Sequence, residues 1–280
     1  MSIMKKIATI QDISCFGKCS LTVALPIISA MGVETAVIPT AVLSTHTGGF
    51  TGYTFRDMTE DIPKIAEHWK KIGLEFSGIY TGYLGSKEQI SIVSDFFDSF
   101  GTEDNFIVVD PAMADHGKLY AGFDEEFVSA MTGLCAKADY IIPNMTEASL
   151  LLGIPYIERH DREYAEDILV RLAGLGCRVP ILTGVDSGDG REGAAAYDPE
   201  SGKFYYSFRD HIDCCCHGTG DIFASVFTGA VVLGKSLQHA LDISVNYTAD
   251  CIEKTFPERE EMWYGSAFEL CIDKLLEYIK

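Results

Sequence analysis

The sequence is poor in positive charge: 22 lysines and arginines stand against 41 aspartates and glutamates, a formal net charge of −19. It contains no basic run. A surface of this sign repels nucleic acid and anionic lipid, since both are densely negative. We therefore expect no nucleic-acid partner. A polyphosphate substrate would need backbone amides, a helix dipole and a divalent metal to offset the acidic field.

Long apolar segments and boundary signals are also missing. No stretch approaches the roughly 18 uninterrupted apolar residues of a membrane span. The first ten residues contain two lysines and lead into a strand-like stretch without a small-residue cleavage site. We expect no membrane association and a cytoplasmic location. Because no linker, repeat or low-complexity stretch interrupts the chain, residues 1–280 are predicted to form one domain.

Nine cysteines, an odd number, are scattered mainly through apolar segments, as is typical of reduced core thiols. The run from Cys214 to Cys216, followed by His217, suggests a metal site at first sight. However, adjacent residues of an extended chain point to opposite faces and cannot complete a tetrahedron. The pattern therefore disfavours zinc.

Apolar runs of strand length alternate with longer segments of helical period, which predicts an α/β fold. The predicted strands are residues 6–10, 34–39, 79–81, 106–110, 140–142 and 180–183. The predicted helices are residues 20–31, 62–72, a segment opening at Ser86, and residues 162–175, 219–233, 237–253 and 268–279. A turn composition at residues 198–202 predicts an antiparallel hairpin of residues 193–197 and 203–208. We expect a mainly parallel central sheet with antiparallel additions, covered on both faces.

Sheets of this kind bind ligands at the carboxyl ends of their strands. The clearest candidate for a ligand-binding segment does not follow a predicted strand. It is residues 217–221, which read H-G-T-G-D and open an apolar helix. Two glycines permit a tight turn and close approach to a ligand, and the helix start presents N–H groups and a positive dipole end to an anion. Asp221 is a candidate base for activating a hydroxyl. Taken alone, the motif favours the alternative, an acid that merely complements the helix dipole.

Three further segments agree with this motif in order and spacing. Residues 110–115 read D-P-A-M-A-D, residues 138–147 read A-D-Y-I-I-P-N-M-T-E, and residues 181–184 read I-L-T-G. Together the four segments resemble the ribokinase superfamily, with its G-T/A-G-D, D-P-V-M-G-D and A-D-x-I-x-P-N-x-x-E motifs. The resemblance implies a ribokinase-like three-layer α/β/α fold and an ATP-dependent kinase with an alcohol group as acceptor.

The resemblance also implies roles for individual residues. The catalytic base and its anion hole would be Asp221, Gly218, Thr219 and Gly220. The residues that contact ATP would be Asp110, Asn144, Glu147, Thr183 and Gly184. Mg²⁺ would be held by Asp110 and Glu147, and a requirement for a monovalent cation such as K⁺ stays open. As an alternative, N-x-x-E at residues 144–147 is also an ordinary capping box.

The N-terminal third is most similar to the pyridoxal kinases of the superfamily. Residues 9–11 (T-I-Q), 44–50 (S-T-H-T-G-G-F) and 81–83 (T-G-Y) match their S-I-Q, S-N-H-T-x-x-G and T-G-Y segments. The resemblance implies ATP-dependent phosphorylation of the 5′-hydroxymethyl group of a B6 vitamer, in salvage to pyridoxal 5′-phosphate. It assigns the vitamer to the side chains of Asp12, His46, Thr47 and Tyr83. For His46 the alternative is a histidine that satisfies hydrogen bonds of its own loop.

Asp12 departs from this pattern, because the pyridoxal kinases have serine at the position. An ionised carboxylate favours a cationic substituent, so we hypothesise a preference for pyridoxamine over pyridoxal. Residues 115–123 are the candidate for a lid that excludes water. The resemblance further implies a homodimer. Two alternatives remain: a hydroxymethylpyrimidine kinase of thiamine synthesis, and a catalytically silent homologue that binds a vitamin or nucleotide.

Overall fold

The structure is a computed structural model that describes residues 4–158, 160–214 and 216–280. Within them the strands are β1 (Lys6–Ser14), β2 (Glu34–Leu43), β3 (Phe55–Asp57), β4 (Gly78–Thr81), β5 (Phe106–Val109), β6 (Ala114–Asp115), β7 (Lys118–Leu119), β8 (Tyr140–Ile141), β9 (Val179–Asp186), β10 (Arg191–Asp198) and β11 (Lys203–Asp210). The helices are α1 (Leu21–Ala30), α2 (Ile62–Lys71), α3 (Lys87–Phe100), α4 (Glu125–Cys135), α5 (Met145–Leu151), α6 (Arg162–Ala173), α7 (Thr219–Val232), α8 (Leu237–Thr255) and α9 (Ile272–Tyr278).

The main sheet has the strand order β11-β10-β9-β8-β5-β4-β1-β2-β3. The neighbours from β2 through β1, β4, β5 and β8 to β9 pair in parallel. Strands β3, β10 and β11 add antiparallel pairs at the two edges. The predicted α/β class, with a mainly parallel sheet and antiparallel additions, is confirmed.

Helices cover both faces of this sheet, because its central strands are apolar on both sides. In β4, Ile79 joins the core formed with α2 to α6, whereas its neighbour Tyr80 joins the core formed with α1, α7, α8 and α9. This alternation follows from the two-residue period of a strand. Helix α7 lies deep in the second layer, since all its residues from Ile222 to Val232 are buried.

Several elements differ from the sequence prediction. β1 and β2 continue past their apolar runs, because they pair with each other as far as Ser14 and Leu43. Strand β3 and helix α4 were not predicted. The segment predicted as one helix over residues 268–279 begins instead as a 3₁₀ turn, Phe268–Cys271, before α9.

The candidate lid, residues 115–123, is partly ordered as a hairpin. β6 and β7 pair across a two-residue turn whose residues, His116 and Gly117, both have positive φ, of 48° and 74°. This is the backbone geometry of a tight hairpin turn. The Gly117 N–H donates to the Thr146 hydroxyl at 3.0 Å, which ties the hairpin to α5. Among the described residues, no helix is long and apolar enough to cross a membrane.

Candidate active site

Four buried or partly buried acids meet at the carboxyl edge of the sheet. Asp12 lies on β1, Asp110 directly follows β5, Glu147 lies in the first turn of α5 and Asp221 in the first turn of α7. Their proximity is electrostatic as well as spatial, because the charge of Asp221 acts on Asp110 and that of Asp12 acts on Asp221. The four residues were selected from separate sequence motifs, and the fold brings them together.

The start of α7 is shaped by Gly218. This N-cap residue has a φ of 80°, and a Cβ at its position would lie 1.9 Å from the main-chain oxygen of Lys18. A side chain is therefore excluded on two grounds, backbone conformation and space. The close approach places the α7 N-terminus against the segment that contains Lys18.

Asp221 has the properties of a general base. Burial raises the pKa of its carboxyl from 3.8 to about 7, the nearby charge of Asp12 adds to the rise, and a hydrogen bond from the Ser20 main-chain N–H opposes it. Its side chain nevertheless stays partly accessible to solvent. A carboxyl that titrates near neutral pH is suited to accept a proton from an alcohol.

Asp110 and Glu147 form a second acidic pair, and they are 8% and 3% exposed. Burial, and then the charge of Glu147, raises the pKa of Asp110 well above its ordinary range. Burial also raises the pKa of Glu147, although its oxygens accept the N–H of Asn144 at 2.9 Å and of Met113 at 3.1 Å. Two neighbouring ionised carboxylates repel each other unless a cation lies between them.

The carboxylate oxygens of Asp110 and Glu147 are suitable ligands for Mg²⁺. Among the residues that the structure describes, no lysine or arginine forms an ion pair with Asp110, Glu147 or Asp221. In the same part of the chain, no group of three His, Cys, Asp or Glu side chains could by itself enclose a metal ion. Mg²⁺ is commonly held by one or two carboxylates together with water and substrate phosphates. The Asp110–Glu147 pair is of that kind.

The predicted ATP contacts after β8 and on β9 lie side by side. Thr183 and Gly184 fall within β9, because this strand continues to Asp186 and not only to the predicted residue 183. Asn144 and Thr183 form an isolated parallel bridge, and the Thr183 N–H donates to the Pro143 carbonyl at 3.1 Å. Asn144 and Glu147 form a complete capping box, and the Asn144 amide also donates to the Ala114 carbonyl at 2.9 Å. The Asn144 side chain is thus committed to protein groups. Gly184 is exposed with a φ of 68°, so its backbone is open to a ligand.

Asp12, whose charge acts on Asp221, also acts on Tyr83, so these two predicted substrate contacts lie near each other. Burial raises the pKa of Asp12, against hydrogen bonds from the Ser20 and Ser14 hydroxyls, the latter at 2.9 Å. Burial and the charge of Asp12 raise the pKa of Tyr83 to about 12, so its hydroxyl is neutral. The Tyr83 ring stacks on Phe123 at 5.7 Å between centroids, which positions it without enclosing it.

Both ring nitrogens of His46 form hydrogen bonds within the protein. Its Nδ1 accepts the Gly48 N–H at 3.1 Å, so Nε2 carries the proton and donates it to the Tyr264 carbonyl at 2.8 Å. Both ring nitrogens are therefore engaged with the backbone. The His46 ring also lies 5.0 Å from the ring of His217. Thr47 is exposed beside it. The structure thus favours the alternative for His46, a histidine that orders its own loop.

Sequence reasoning missed two groups of residues around the site. Ser20, predicted as the start of a helix, sends its side chain to Asp12 and its main-chain N–H to Asp221. Trp263 packs on Phe50 at 4.5 Å, so the C-terminal segment joins the loop of residues 44–50. Nothing local distinguishes these residues, because their partners lie far along the chain. Cys215, in the cysteine run, lies outside the described residues.

This fold and this acidic site define a class of protein, an enzyme that transfers a phosphoryl group to an alcohol acceptor. More particularly, the chain belongs to the phosphomethylpyrimidine kinase family, whose profile matches residues 11–263. The resemblance to pyridoxal kinases of the ribokinase superfamily is likewise confirmed.

Three relatives illustrate the range of the family. A candidate phosphomethylpyrimidine kinase from Bacteroides thetaiotaomicron, crystallised with pyridoxal, is 40% identical with a TM-score of 0.92, over 97% of this chain and 96% of that one. Pyridoxal kinase from Lactobacillus plantarum is 31% identical with a TM-score of 0.90, over 99% and 98% of the two chains. The hydroxymethylpyrimidine/phosphomethylpyrimidine kinase of Bacillus subtilis is 26% identical over 90% of this chain and 84% of its own.

Proposed function

We propose that this protein phosphorylates the 5′-hydroxymethyl group of a B6 vitamer with ATP, in salvage to pyridoxal 5′-phosphate. The observation that carries the proposal is the position of Asp221. Its charge acts on Asp110, which forms with Glu147 an acidic pair suited to metal and phosphate. The charge of Asp12, which also acts on Tyr83, acts in turn on Asp221. A pyridoxal-bound relative at 40% identity supports the choice of acceptor.

In this mechanism Asp221 accepts the proton of the hydroxymethyl group as its oxygen attacks the γ-phosphate. Its pKa of about 7 keeps it ionised above neutral pH yet basic enough to take a proton. General-base assistance of this kind is worth about 10²–10⁴-fold in rate. The remaining catalysis comes from positioning and charge neutralisation, because phosphoryl transfer needs little covalent help from the protein.

The start of α7 supplies the anion hole. Gly218, Thr219 and Gly220 present the first N–H groups of the helix together with the positive end of its dipole, which stabilise the oxygens of the transferring phosphoryl group. Asp110 and Glu147 would hold Mg²⁺, which when bound neutralises phosphate charge. Thr183 and Gly184 would contact the phosphates of ATP from within β9. Asn144 orders Glu147 through the capping box, and its predicted contact with the nucleotide stays part of the proposal.

On the acceptor side, Tyr83 offers an aromatic face to a pyridine ring, and Asp12 offers a carboxylate held by serine hydroxyls. Because His46 uses both ring nitrogens on the backbone, it shapes the pocket rather than hydrogen-bonding the vitamer, and Thr47 contributes from the exposed part of the loop. The charge of Asp12 favours the ammonium of pyridoxamine. An Asp12→Ser variant is expected to lower the pyridoxamine/pyridoxal ratio of kcat/KM. An unchanged ratio would remove Asp12 as the determinant.

A hydroxymethylpyrimidine kinase is the second candidate, favoured by the family profile and by the Bacillus subtilis relative. Both acceptors are flat heteroaromatic rings with a hydroxymethyl group, so the site chemistry is shared. We also propose that residues 1–280 act as one domain, as a cytoplasmic homodimer. We further propose that residues 115–123 close over the reacting groups. A monovalent-cation requirement is tested by measuring ADP directly by chromatography in KCl and in choline chloride, because the coupling enzyme pyruvate kinase itself needs K⁺.

The experiment that tests the function is ADP release coupled to pyruvate kinase and lactate dehydrogenase. Pyridoxal, pyridoxamine, pyridoxine and hydroxymethylpyrimidine are offered in parallel to the wild-type protein and to Asp221→Ala. We expect a vitamer to give the highest kcat/KM, and the variant to lose at least about 100-fold. A higher kcat/KM for hydroxymethylpyrimidine would favour the second candidate. No turnover with any acceptor would indicate a binding protein.

A further inference from the structure

Ser20 has an unusual backbone for a non-glycine residue. Its φ is 55° and its ψ −130°, and it is 6% exposed. A side chain in this region of backbone space is strained, and such strain persists only where surrounding contacts hold the residue in place. Although Ser20 is the N-cap of α1, its side chain makes no capping hydrogen bond.

The two polar groups of Ser20 reach two different acids. The main-chain N–H lowers the pKa of the Asp221 carboxyl and the hydroxyl lowers that of Asp12, so both groups act on the acids at short range. A short antiparallel bridge between Ser20 and Ile13 fixes the backbone beside β1. One residue therefore contacts both the base and the acid on the substrate side of the site.

The segment that carries Ser20 is held from both sides by backbone packing. Gly17, with a φ of 92°, lies so close to His46 that a Cβ would come within 2.2 Å of the imidazole ring. The Lys18 carbonyl oxygen lies where a Cβ on Gly218 would come within 1.9 Å of it. The Lys18 N–H donates to the Tyr264 carbonyl at 3.3 Å. These contacts explain how a strained conformation is maintained at Ser20.

We propose that Ser20 is a positioning residue that sets the separation between Asp12 and Asp221. Its hydroxyl anchors it to the pocket acid, and its N–H, presented by the positive-φ backbone, orients the base toward the acceptor hydroxyl. The inference rests on the proposed function, since it assumes that Asp221 is the base. It assigns a role to a residue that acts through the two acids rather than on the nucleotide or the acceptor.

The test uses Ser20→Ala, which removes only the hydroxyl, and Ser20→Gly, which also relieves the backbone strain and keeps the N–H. We expect both variants to lose about ten-fold in kcat, since small misplacements of a catalytic group are costly. KM for ATP should stay within about two-fold. The melting temperature should be unchanged for Ser20→Ala and equal or higher for Ser20→Gly, which separates positioning from unfolding.

Two comparisons make the test specific. Thr22→Val removes a hydroxyl that bonds the Cys19 carbonyl at 2.8 Å in the same segment but reaches neither acid, so its kcat should be unaffected. In an Asp12→Ala background, Ser20→Ala should cost less than about two-fold, because the anchoring partner is already gone. An equal loss of kcat in both backgrounds, or no loss in the wild-type background, would overturn the proposal.

Assays use whichever acceptor the wild-type protein phosphorylates, so a wrong vitamer assignment does not affect them. Crystal structures of the wild-type protein and Ser20→Ala give a measurement independent of turnover. We expect the distance between the Asp12 and Asp221 carboxylates to change in the variant. Carboxylates that stay in place would refute the role of Ser20 even if the protein proves to be a vitamer kinase.

Discussion

Replacing Asp221 with asparagine should separate catalysis from stability. The asparagine side chain keeps the shape of the aspartate and still accepts the Ser20 N–H, but it cannot take a proton. We expect kcat to fall by about 10²–10⁴-fold. The same change should stabilise the protein at high pH, because the wild-type carboxylate is ionised there in a buried position. A merely structural acid at a helix start would not combine these two effects.

The size of the expected change in unfolding free energy follows from the raised pKa of Asp221. The gap between 3.8 and about 7 corresponds to about 4 kcal/mol. Because the folded-state pKa is the higher one, the neutral carboxyl favours folding below about pH 4, and this contribution is lost as pH rises through 7. Asparagine does not titrate. The difference in unfolding free energy between variant and wild type should therefore grow, in favour of the variant, by about 2–3 kcal/mol from pH 5 to pH 8.

The assay is thermal or urea unfolding at both pH values, alongside the ADP-release measurement. A growth of that size should appear as roughly 5–10 °C in the difference between the two melting temperatures. Asp104→Asn is the matched control, since Asp104 is an exposed acid and its replacement should change neither kcat nor the pH dependence of stability. The reasoning fails if the difference between Asp221→Asn and wild type is the same at pH 5 and pH 8, or if kcat is retained.

Two further predictions concern the metal and the α7 turn. Adding MgCl₂ should raise the melting temperature more at pH 8 than at pH 5, because burial raises the pKa values of Asp110 and Glu147 and the metal binds their ionised forms. Glu147→Gln should weaken this effect. An equal rise in melting temperature with choline chloride at matched ionic strength would exclude a specific metal site. Gly218→Ala should cost more than about 2 kcal/mol in urea unfolding, because its Cβ would lie 1.9 Å from the Lys18 oxygen. Gly234→Ala, with a similar φ of 85° but nothing within 4 Å, should cost only about 1 kcal/mol, and equal losses would show that the close approach is unimportant.

The extent of the N-terminal strands shows where sequence patterns stop being informative. The apolar run of β1 ends at Ile10, but Gln11, Asp12 and Ser14 continue the strand because β2 runs alongside and pairs with it. Polar residues interrupt the hydrophobic signal in the part of the strand that carries function. The pairing that keeps them extended is a property of the assembled sheet.

Local patterns in the sequence were enough to identify which residues could be chemical groups of the site. The alternation of strands and helices places strand ends at one edge of the sheet, and G-T-G-D at residues 218–221 marks a helix start suited to an anion. Short-range rules of this kind depend on neighbours within a few residues. Together with the family resemblance, they predict Asp110, Glu147 and Asp221 as site residues without knowledge of the fold.

What those groups do to one another depends on the folded chain. The pKa of Asp221 rises because burial and Asp12 surround it, and Ser20 becomes a contact of both acids through a backbone conformation that residues distant in sequence maintain. The hydrogen bonds of the His46 ring to Gly48 and Tyr264 likewise form only in the folded chain. Burial, the electrostatic effect of neighbouring charges and backbone strain arise from atoms that are distant in sequence. A local sequence pattern therefore cannot predict them.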